Sequence, residues 1–399
     1  MATLEYHTAG ESHGPALTVL VSGMPAGVDF DETFINAELR RRQGGYGRGG
    51  RQRIETDAIQ VLSGVRRGKT IGSPLVMQIK NKDSRLDDLE RTPPVHRPRP
   101  GHADLAGSVK WLTTDCRETL ERASARETAA RTAAGAAARC LLKAFKVEVF
   151  GFVRSIHEAV WEGEVLEETW RDLVQKRDES DVYCPDAGVS EKMREAIRAA
   201  KVAKDTVGGL VEAHIFGAPM GLGSCVDWRE KLDARLAYAV MGIQAFKCVE
   251  IGLGKECAFR RGSEVHDPIA FERSRTEEAS LGFMRSSNNA GGTEGGMSNG
   301  QPIVVRGTMK PISTLLRGLP SVNLNTKAAE ESQYERSDVC AVSAASVVME
   351  NVAAFEVARA MREKFGGDSL LEMVQNYKGF LEMARALPLE GPAAGREIA

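Results

Sequence analysis

The segment from Arg40 to Arg53 is the most unusual local feature of the sequence, because it holds six arginines and no lysine. The arginines are Arg40, Arg41, Arg42, Arg48, Arg51 and Arg53, and five glycines stand among them. A guanidinium group binds phosphate or carboxylate through two parallel hydrogen bonds, and glycine lets the backbone approach a ligand closely. We therefore expect an anion site here; a solvated basic loop is the alternative.

Two histidines are further candidates for chemistry. His13 lies in Gly10-Glu11-Ser12-His13-Gly14, where the flanking glycines expose the imidazole and leave backbone N–H groups available to an anion. His102 lies in Arg97-Pro98-Arg99-Pro100-Gly101-His102-Ala103-Asp104, beside two more arginines. With an anion bound, such an imidazole can act as a general acid near neutral pH. For both histidines the alternative is a structural hydrogen bond to a carbonyl group.

Metal binding is another interpretation of His102, because Asp104 follows it closely. No further histidine or carboxylate cluster in the sequence completes such a site, so we expect no metal. The histidines that we interpret as structural or superficial are His7, His157, His214 and His266.

Residues 117 to 145 predict the clearest helix, because alanine dominates the segment and loses no side-chain entropy on ordering. Its small side chains allow close packing, so we expect deep burial. Arg122 and Arg126 are four residues apart and are expected to share a face. Buried guanidinium groups need anionic partners, which are either a bound anion or the neighbouring Glu121 and Glu127.

Asp338 directly precedes an apolar helix that we predict over residues 340 to 364, ended by Gly366-Gly367. Its residue type and position are those of a helix N-cap, and this structural role is the alternative to a role in chemistry.

Two nucleotide-binding patterns are misleading. Gly45-Tyr46-Gly47-Arg48-Gly49-Gly50 fits the dinucleotide pattern G-x-G-x-x-G, but a predicted helix precedes it where a strand is required. Gly64-Val65-Arg66-Arg67-Gly68-Lys69-Thr70 resembles a P-loop, but it is one residue too short and leads into no clear helix. We reject both readings.

The sequence also predicts some of the helices and strands that must position these residues. Residues 15 to 22 read as a strand, and Asp31 is expected to cap a helix that runs into the arginines. Residues 160 to 204 predict two amphipathic helices on a solvated face, and strand-like residues 210 to 217 precede a helix near 229 to 245. The loop at 286 to 300 has too little apolar content for a core element. We see no repeat and no linker, and therefore expect a single domain over 1–399 whose final ten residues fray.

Composition excludes several classes of protein. The chain has 399 residues, of which 42% are hydrophobic, and a net charge of −2, which provides no general field for nucleic acid or an anionic membrane. Seven scattered cysteines without a Cys-x-x-Cys pair argue against a disulfide framework or a zinc site. No signal segment and no long apolar stretch stand in the sequence, so we expect a cytoplasmic protein.

Several motifs in a fixed order resemble the signatures of the chorismate synthase family, over about residues 5 to 368. They are Gly10-Glu11-Ser12-His13-Gly14, Gly45-Tyr46-Gly47-Arg48-Gly49, Arg97 to Asp104, Arg122 to Arg131, Met241-Gly242-Ile243-Gln244-Ala245, Gly295 to Gly300, Lys310-Pro311-Ile312-Ser313-Thr314 and Arg336-Ser337-Asp338-Val339-Cys340. One departure is Ser337, where many members have histidine.

That resemblance implies an α+β fold, a β-α-β sandwich with a helical core between antiparallel sheets, and assembly as a homotetramer. It also implies a lyase that converts 5-enolpyruvylshikimate-3-phosphate to chorismate and phosphate, the last step of the shikimate pathway. This anti 1,4-elimination requires reduced FMN without net redox change. An external flavin reductase is implied as a partner, with NADPH as a possible reductant, because the extra segments of bifunctional members are absent.

The resemblance also implies roles for individual residues. His13 would protonate the departing phosphate, His102 would contact the reduced flavin, and Asp338 would work with flavin N5. Implied substrate contacts are Ser12, Arg42, Arg48, Arg99, Arg126 and Arg336, and Arg42 and Arg48 are also implied for NADP. Implied flavin contacts are Arg122, Ala123, Ser124, Gln244, Ala245, Gly300, Lys310, Pro311, Ile312, Ser313, Thr314 and Arg336.

Two other functions compete with this interpretation. A flavin- or NADPH-dependent oxidoreductase would use the same kind of cofactor site for hydride transfer. A non-enzymatic protein that binds anions or RNA would use the arginine cluster alone, and its RNA binding would depend steeply on salt.

Overall fold

The computed structural model describes residues 3–49, 55–335 and 337–389 of the chain. Arg51, Arg53, Arg336 and the ten C-terminal residues that we expect to fray lie outside this part. Within it, all seven cysteines are free thiols.

The first 80 residues build a four-stranded antiparallel sheet in the order β1-β2-β6-β3, with one helix and a small hairpin. The elements are β1 (Glu5–Ala9), β2 (Ala16–Ser22), α1 (Glu32–Gln43), β3 (Ile59–Ser63), β4 (Val65–Arg66), β5 (Lys69–Thr70) and β6 (Leu75–Lys80). Successive side chains of a strand point to opposite faces, so β2 and β6 present one apolar face to the interior. That face contains the fully buried cross-strand pairs Leu17 and Ile79, Val19 and Met77, and Val21 and Leu75.

Residues 104 to 216 add most of the helices and begin the second sheet. These elements are α2 (Asp104–Trp111), α3 (Arg117–Ala123), α4 (Thr128–Lys143), β7 (Glu148–Ile156), β8 (Ala159–Val160), α5 (Trp170–Glu179), α6 (Ala187–Val202) and β9 (Gly209–Phe216). The two amphipathic helices predicted between 160 and 204 are confirmed as α5 and α6.

The remaining residues complete the second sheet, which is antiparallel with the order β10-β15-β9-β7-β8. The elements are α7 (Leu232–Met241), β10 (Phe246–Ile251), α8 (Gly262–Val265), β11 (Ile269–Phe271), β12 (Phe283–Arg285), β13 (Thr293–Glu294), β14 (Met297–Ser298), β15 (Ile303–Met309), β16 (Pro320–Val322), β17 (Ala329–Glu331), α9 (Val342–Phe365) and α10 (Leu370–Arg385). The pairs β11 with β12, β13 with β14 and β16 with β17 are separate hairpins.

A layer of helices lies between the two sheets. Helix α4 packs on β2 and β6 of the first sheet, α9 packs on β7 and β9 of the second, and α4 and α9 pack on each other. Their approach is very close at Gly135, where an added Cβ would lie 2.1 Å from the carbonyl oxygen of Asn351. The predicted β-α-β sandwich and the deep burial of the alanine-rich helix are confirmed. Buried side chains of both sheets and the helical layer form one apolar cluster.

The helix predicted over 117 to 145 is wrong in one respect, because it is interrupted at Ser124. This residue is extended, with φ −61° and ψ 141°, and its side chain accepts a hydrogen bond from the backbone N–H of Arg126. A serine that caps the next turn in this way competes with continuation of the helix. A short 3₁₀ turn at 125–127 then leads into α4, so Arg122 and Arg126 do not share a helix face.

Candidate active site

His13 lies in the turn between β1 and β2 and is 8% exposed. The turn begins at Gly10, whose φ is +104° and where a Cβ would lie 2.3 Å from the carbonyl oxygen of Ala16, so glycine is required. Glu121 of α3 accepts from the backbone N–H of His13 at 2.8 Å and contacts its ring Nδ1 at 2.8 Å. Burial would raise the pKa of Glu121, but its hydrogen bonds with His13 and the charges of His13 and Arg117 outweigh burial and lower it. The carboxylate therefore fixes the ring and leaves Nε2 to face the site.

Asn81, directly after β6, joins this turn to Arg126. Its side-chain nitrogen donates to the carbonyl groups of Gly14 and Glu11 at 2.8 and 3.1 Å, and its side-chain oxygen accepts from Arg126 Nε at 2.9 Å. Ser124 adds a second link, because its hydroxyl donates to that of Ser12 at 3.1 Å. Ser12, His13 and Arg126 are thus brought into one neighbourhood.

Two buried guanidinium groups share one carboxylate. Asp57 accepts from Arg126 Nη1 at 2.7 Å and from Arg42 Nη1 at 3.4 Å. Burial lowers the pKa of Arg42 to about 10, an effect that Asp57 opposes and that Arg126 and Arg48 reinforce. Because an arginine stays protonated in practice, this shift reflects the cost of burying the charge of Arg42, a cost that a bound anion would lower. Arg126 Nη2 is also buried without a hydrogen-bond partner within the described residues.

The arginine segment serves two purposes. Arg42 and Arg48 face the candidate site, but Arg41 points into the helical layer, where it pairs with Glu38 at 2.9 Å and with Glu350. Arg40 is exposed. Of the arginines in this cluster that the structure describes, Arg42 and Arg48 therefore remain candidates for the anion site, and Arg40 and Arg41 do not.

Arg122 binds the backbone of the first strand, where we had expected an anion or a glutamate. It donates to the carbonyl groups of Gly10 and Thr8 at 3.0 and 2.8 Å, and Glu127 lies 3.9 Å away. Glu127 in turn accepts from Gln244 Nε2 at 3.0 Å. The predicted flavin-contact positions 122 and 244 are therefore linked through one carboxylate.

The loop containing His102 is organised by Asp104, which is fully buried at the start of α2. Arg99 donates to Asp104 through Nε at 2.8 Å and Nη2 at 3.0 Å, and His102 Nδ1 lies 2.5 Å from the same carboxylate. Burial would raise the pKa of Asp104, but the hydrogen bonds from His102 and Arg99 outweigh it and hold the pKa well below its usual range. Arg99 Nη2 also lies 3.0 Å from Nδ1, but the ionised Asp104 can only accept, so we assign the ring proton to Nδ1. Nε2 of His102 is then left for a ligand.

The segment Lys310 to Thr314 lies against this loop. Thr314 Oγ1 accepts from Arg99 Nη1 at 3.0 Å, and Lys310 Nζ donates to the carbonyl of Gly101. The backbone N–H of Lys310 donates to the carbonyl of Ala245 at 2.9 Å. Two of the segments predicted to contact flavin, Gln244-Ala245 and Lys310 to Thr314, are thus joined to the loop that carries His102. Gly300 is not part of these links. It packs against Ser280, whose Cα would lie 2.6 Å from a Cβ added at Gly300.

Asp338 is not a helix N-cap, since α9 begins at Val342 with Ala341 at its N-cap. Its carboxylate instead accepts from the backbone N–H of Gly49 at 2.6 Å and from Arg48 Nη1 at 2.7 Å. It therefore holds the glycine-rich loop by a charged contact that the sequence did not indicate.

No group of three or more His, Cys, Asp or Glu side chains within 3–49, 55–335 and 337–389 is arranged to hold a metal ion. Among the helices of these ranges, none combines the length and apolar character that crossing a lipid bilayer requires. Both nucleotide-binding patterns lack their required context, because Gly45 follows α1 and residues 65–70 form the β4-β5 hairpin.

Comparison with known proteins was decisive for the family. A sequence model described as chorismate synthase matches residues 4–361. The chain is 52% identical to the chorismate synthase of Geobacter sulfurreducens over 395 residues, covering 96% of this chain and 100% of that protein. The chain belongs to the chorismate synthase family. It is also 51% identical to the chorismate synthase of Desulforudis audaxviator over 394 residues. A solved crystal structure of chorismate synthase superposes with a TM-score of 0.78 at 38% identity, covering 96% of this chain and 98% of that one.

Membership of the chorismate synthase family confirms the predicted resemblance and makes the chain a lyase. Asp57 and Asn81 lie outside every motif noted in the sequence. Glu121 and Glu127 were expected only as partners of Arg122 and Arg126, whereas Glu121 holds His13. Glu121 could have been noticed because it directly precedes Arg122, the first residue of a family motif. No comparable sequence signal points to Asp57 or Asn81.

Proposed function

We propose that this protein converts 5-enolpyruvylshikimate-3-phosphate to chorismate and inorganic phosphate by anti 1,4-elimination with reduced FMN. This reaction is the last step of the shikimate pathway towards the aromatic amino acids. The observation that carries the proposal is the pair of buried guanidinium groups, Arg42 and Arg126, which share Asp57. Asn81 joins Arg126 to the turn that presents His13.

The charge of the site suits this substrate, which carries a phosphate and two carboxylates. Asp57 pairs with both Arg42 and Arg126, and the buried carboxylate of Glu55 lies 3.8 Å from Arg126 Nη2. Charge-assisted hydrogen bonds from such groups are short and strong, and burial increases their strength. Arg42, Arg48, Arg99 and Arg126 would therefore orient the substrate and stabilise negative charge on the departing phosphate.

His13 would supply the proton to the leaving group. As the C–O bond breaks, its electron pair leaves with the phosphate, and the proton on His13 Nε2 passes to a phosphate oxygen. The electron pair of the broken C–H bond forms the new ring double bond, and its proton would leave on the side where Asp338 is proposed to work with the flavin. Glu121 holds Nδ1 on the opposite side of the ring, so it would also stabilise the positive imidazolium before transfer.

The residues around His102 fit a flavin. Gln244 Oε1 is a buried polar atom without a partner among the described residues, and burial lowers the pKa of the nearby Lys310. Arg122, Ala123, Ser124, Gln244, Ala245, Gly300 and Lys310 to Thr314 would hold the cofactor, and His102 and Asp338 would face it. When bound, reduced FMN supplies electron density that assists departure of the phosphate. Arg336, which lies outside the described residues, is proposed from its motif alone.

The location of the protein, its assembly and the source of its reductant are also proposals. We infer a cytoplasmic homotetramer, NADPH as the source of reductant with Arg42 and Arg48 as its contacts, and an external flavin reductase. Family membership at about 50% identity supports these assignments.

Anaerobic incubation with reduced FMN and 5-enolpyruvylshikimate-3-phosphate tests the proposal. We expect chorismate and phosphate in equal amounts, with no net oxidation of the reduced flavin. Net consumption of reductant without phosphate release would instead support an oxidoreductase. Steeply salt-dependent RNA binding without turnover would support a non-enzymatic binding protein.

A further inference from the structure

Arg85, in the loop after β6, packs against the imidazole of His13. Its Nη2 lies 3.4 Å from His13 Nε2, and its Nη1 donates to the carbonyl of Arg91 at 2.7 Å. The backbone N–H groups of Arg85 and Leu86 both donate to the carbonyl of His13, at 2.9 and 3.1 Å. The guanidinium group is thus held beside the ring by its loop, and its side chain is only 20% exposed.

The contact with Arg85 determines whether His13 Nε2 donates or accepts a hydrogen bond. Arginine carries only donors, so Nε2 accepts from Arg85 and the ring proton lies on Nδ1, facing Glu121. A proton on Nε2 would place two N–H groups against each other. An anionic oxygen between Arg85 Nη2 and His13 Nε2 removes this conflict, because it accepts hydrogen bonds from both.

We propose that Arg85 is a phosphate-binding residue of this site, which gives up His13 Nε2 and donates to a phosphate oxygen that also accepts from His13. The inference rests on the proposed function, since the phosphate is the leaving group of that substrate. Arg85 belongs to none of the motifs that identified the family, and it adds a donor on the side of the ring opposite to Glu121.

The charged groups around His13 explain why an arginine is needed there. Asp83 pairs with Arg85 Nε at 3.2 Å and lies 3.8 Å from His13 Nε2, and Arg91 in turn lies 3.8 Å from Asp83. On the other side, Arg117 lies 3.7 Å from the Glu121 carboxylate. Without Arg85, the nearby carboxylates Asp83 and Glu121 would repel an incoming phosphate.

Inhibition by the two products separates the phosphate position from the carboxylate positions. For Arg85→Ala we expect inorganic phosphate to inhibit about 10- to 100-fold more weakly, the usual effect of one charge-assisted hydrogen bond. Inhibition by chorismate, which has no phosphate, should change less than about twofold. The KM for the substrate should rise as well, and Arg85→Lys should recover part of the phosphate affinity because it keeps the charge.

Arg91→Ala is the matched control. It removes the same charge from the same loop, but the Arg91 side chain is 59% exposed and its carbonyl, which binds Arg85, is kept. We expect wild-type inhibition by both products. Equal loss of phosphate and chorismate inhibition in Arg85→Ala, or unchanged phosphate inhibition, would overturn the proposal.

Calorimetric titration of inorganic phosphate into the flavin-free protein tests Arg85 independently of turnover. Weaker binding to Arg85→Ala than to the wild type supports the assignment even if no chorismate is formed. Equal binding to both contradicts it even if the wild type is an active chorismate synthase.

Discussion

Glu121 accepts from the backbone N–H of His13 and lies at the same 2.8 Å from its ring Nδ1. One carboxylate therefore sets both the position of the turn and the orientation of the imidazole. A carboxylate in this position also selects the tautomer of the ring and stabilises its protonated form.

Replacing Glu121 by glutamine should lower turnover by about 100-fold or more, because the amide keeps the shape but cannot accept from both His13 groups or balance an imidazolium. Anaerobic rates of chorismate formation measure this. His13→Ala should cause a loss of about the same size, and the double variant should be no worse than either, since the pair acts as one unit. Fully additive losses would show that Glu121 does not act through His13.

Asp104 predicts a dependence of stability on pH. Its pKa is depressed in the folded state, so its stabilising contribution is present above the unfolded pKa of about 3.9 and is lost as the pH falls towards the folded value. Asp104→Asn should therefore lower the free energy of unfolding by about 3 kcal/mol at pH 7, as expected for a broken buried ion pair. Urea denaturation should show the difference from wild type shrinking below about pH 4. A difference that stays constant down to pH 3 would contradict the assignment.

Substitution of Asn81 tests the hydrogen bonds that its side chain donates separately from the one that it accepts. In Asn81→Asp the carboxylate still accepts from Arg126, but it faces the carbonyl oxygens of Gly14 and Glu11, to which the native side chain donates. We expect a loss of about 2 to 4 kcal/mol in the free energy of unfolding and a raised KM. Asn81→Ala, which removes the bonds without the repulsion, should lose less. Wild-type stability of the aspartate variant in urea denaturation would mean that the two bonds donated by Asn81 do not stabilise the fold.

Two glycine-to-alanine changes in helices form a matched pair. A Cβ at Gly135 in α4 would lie 2.1 Å from the backbone oxygen of Asn351, so Gly135→Ala must separate α4 from α9 and should cost about 3 kcal/mol or more. Gly379 in α10 has nothing within 4 Å of an added Cβ, and Gly379→Ala should stabilise by up to about 1 kcal/mol through helix propensity. Thermal unfolding of both variants measures the difference. Equal midpoints would contradict the close helix contact.

Local elements were predictable from the sequence, while the partners of charged residues were not. The strand at 16–22, the helix capped by Asp31 and the end of α9 at Gly366 follow from periodicity and capping residues. Asp57 lies 69 residues before Arg126 in the chain, so no local pattern could pair them. The break at Ser124 was missed because alanine-rich flanks outweigh one capping hydroxyl in any propensity argument. The family motifs pointed to the segments that meet at the site, and the structure added the carboxylates that hold them.

The extended residue Ser124 also constrains how this chain can vary in length. A helix turns by about 100° per residue, so deleting one residue of α3 between Glu121 and Ser124 would rotate Glu121 relative to this joint by about that angle. The carboxyl group at 121 would then swing away from the β1–β2 turn, even though every side chain were retained. We therefore expect insertions and deletions to be tolerated in the β11-β12 hairpin and not at Ser124, whichever residues are inserted or removed.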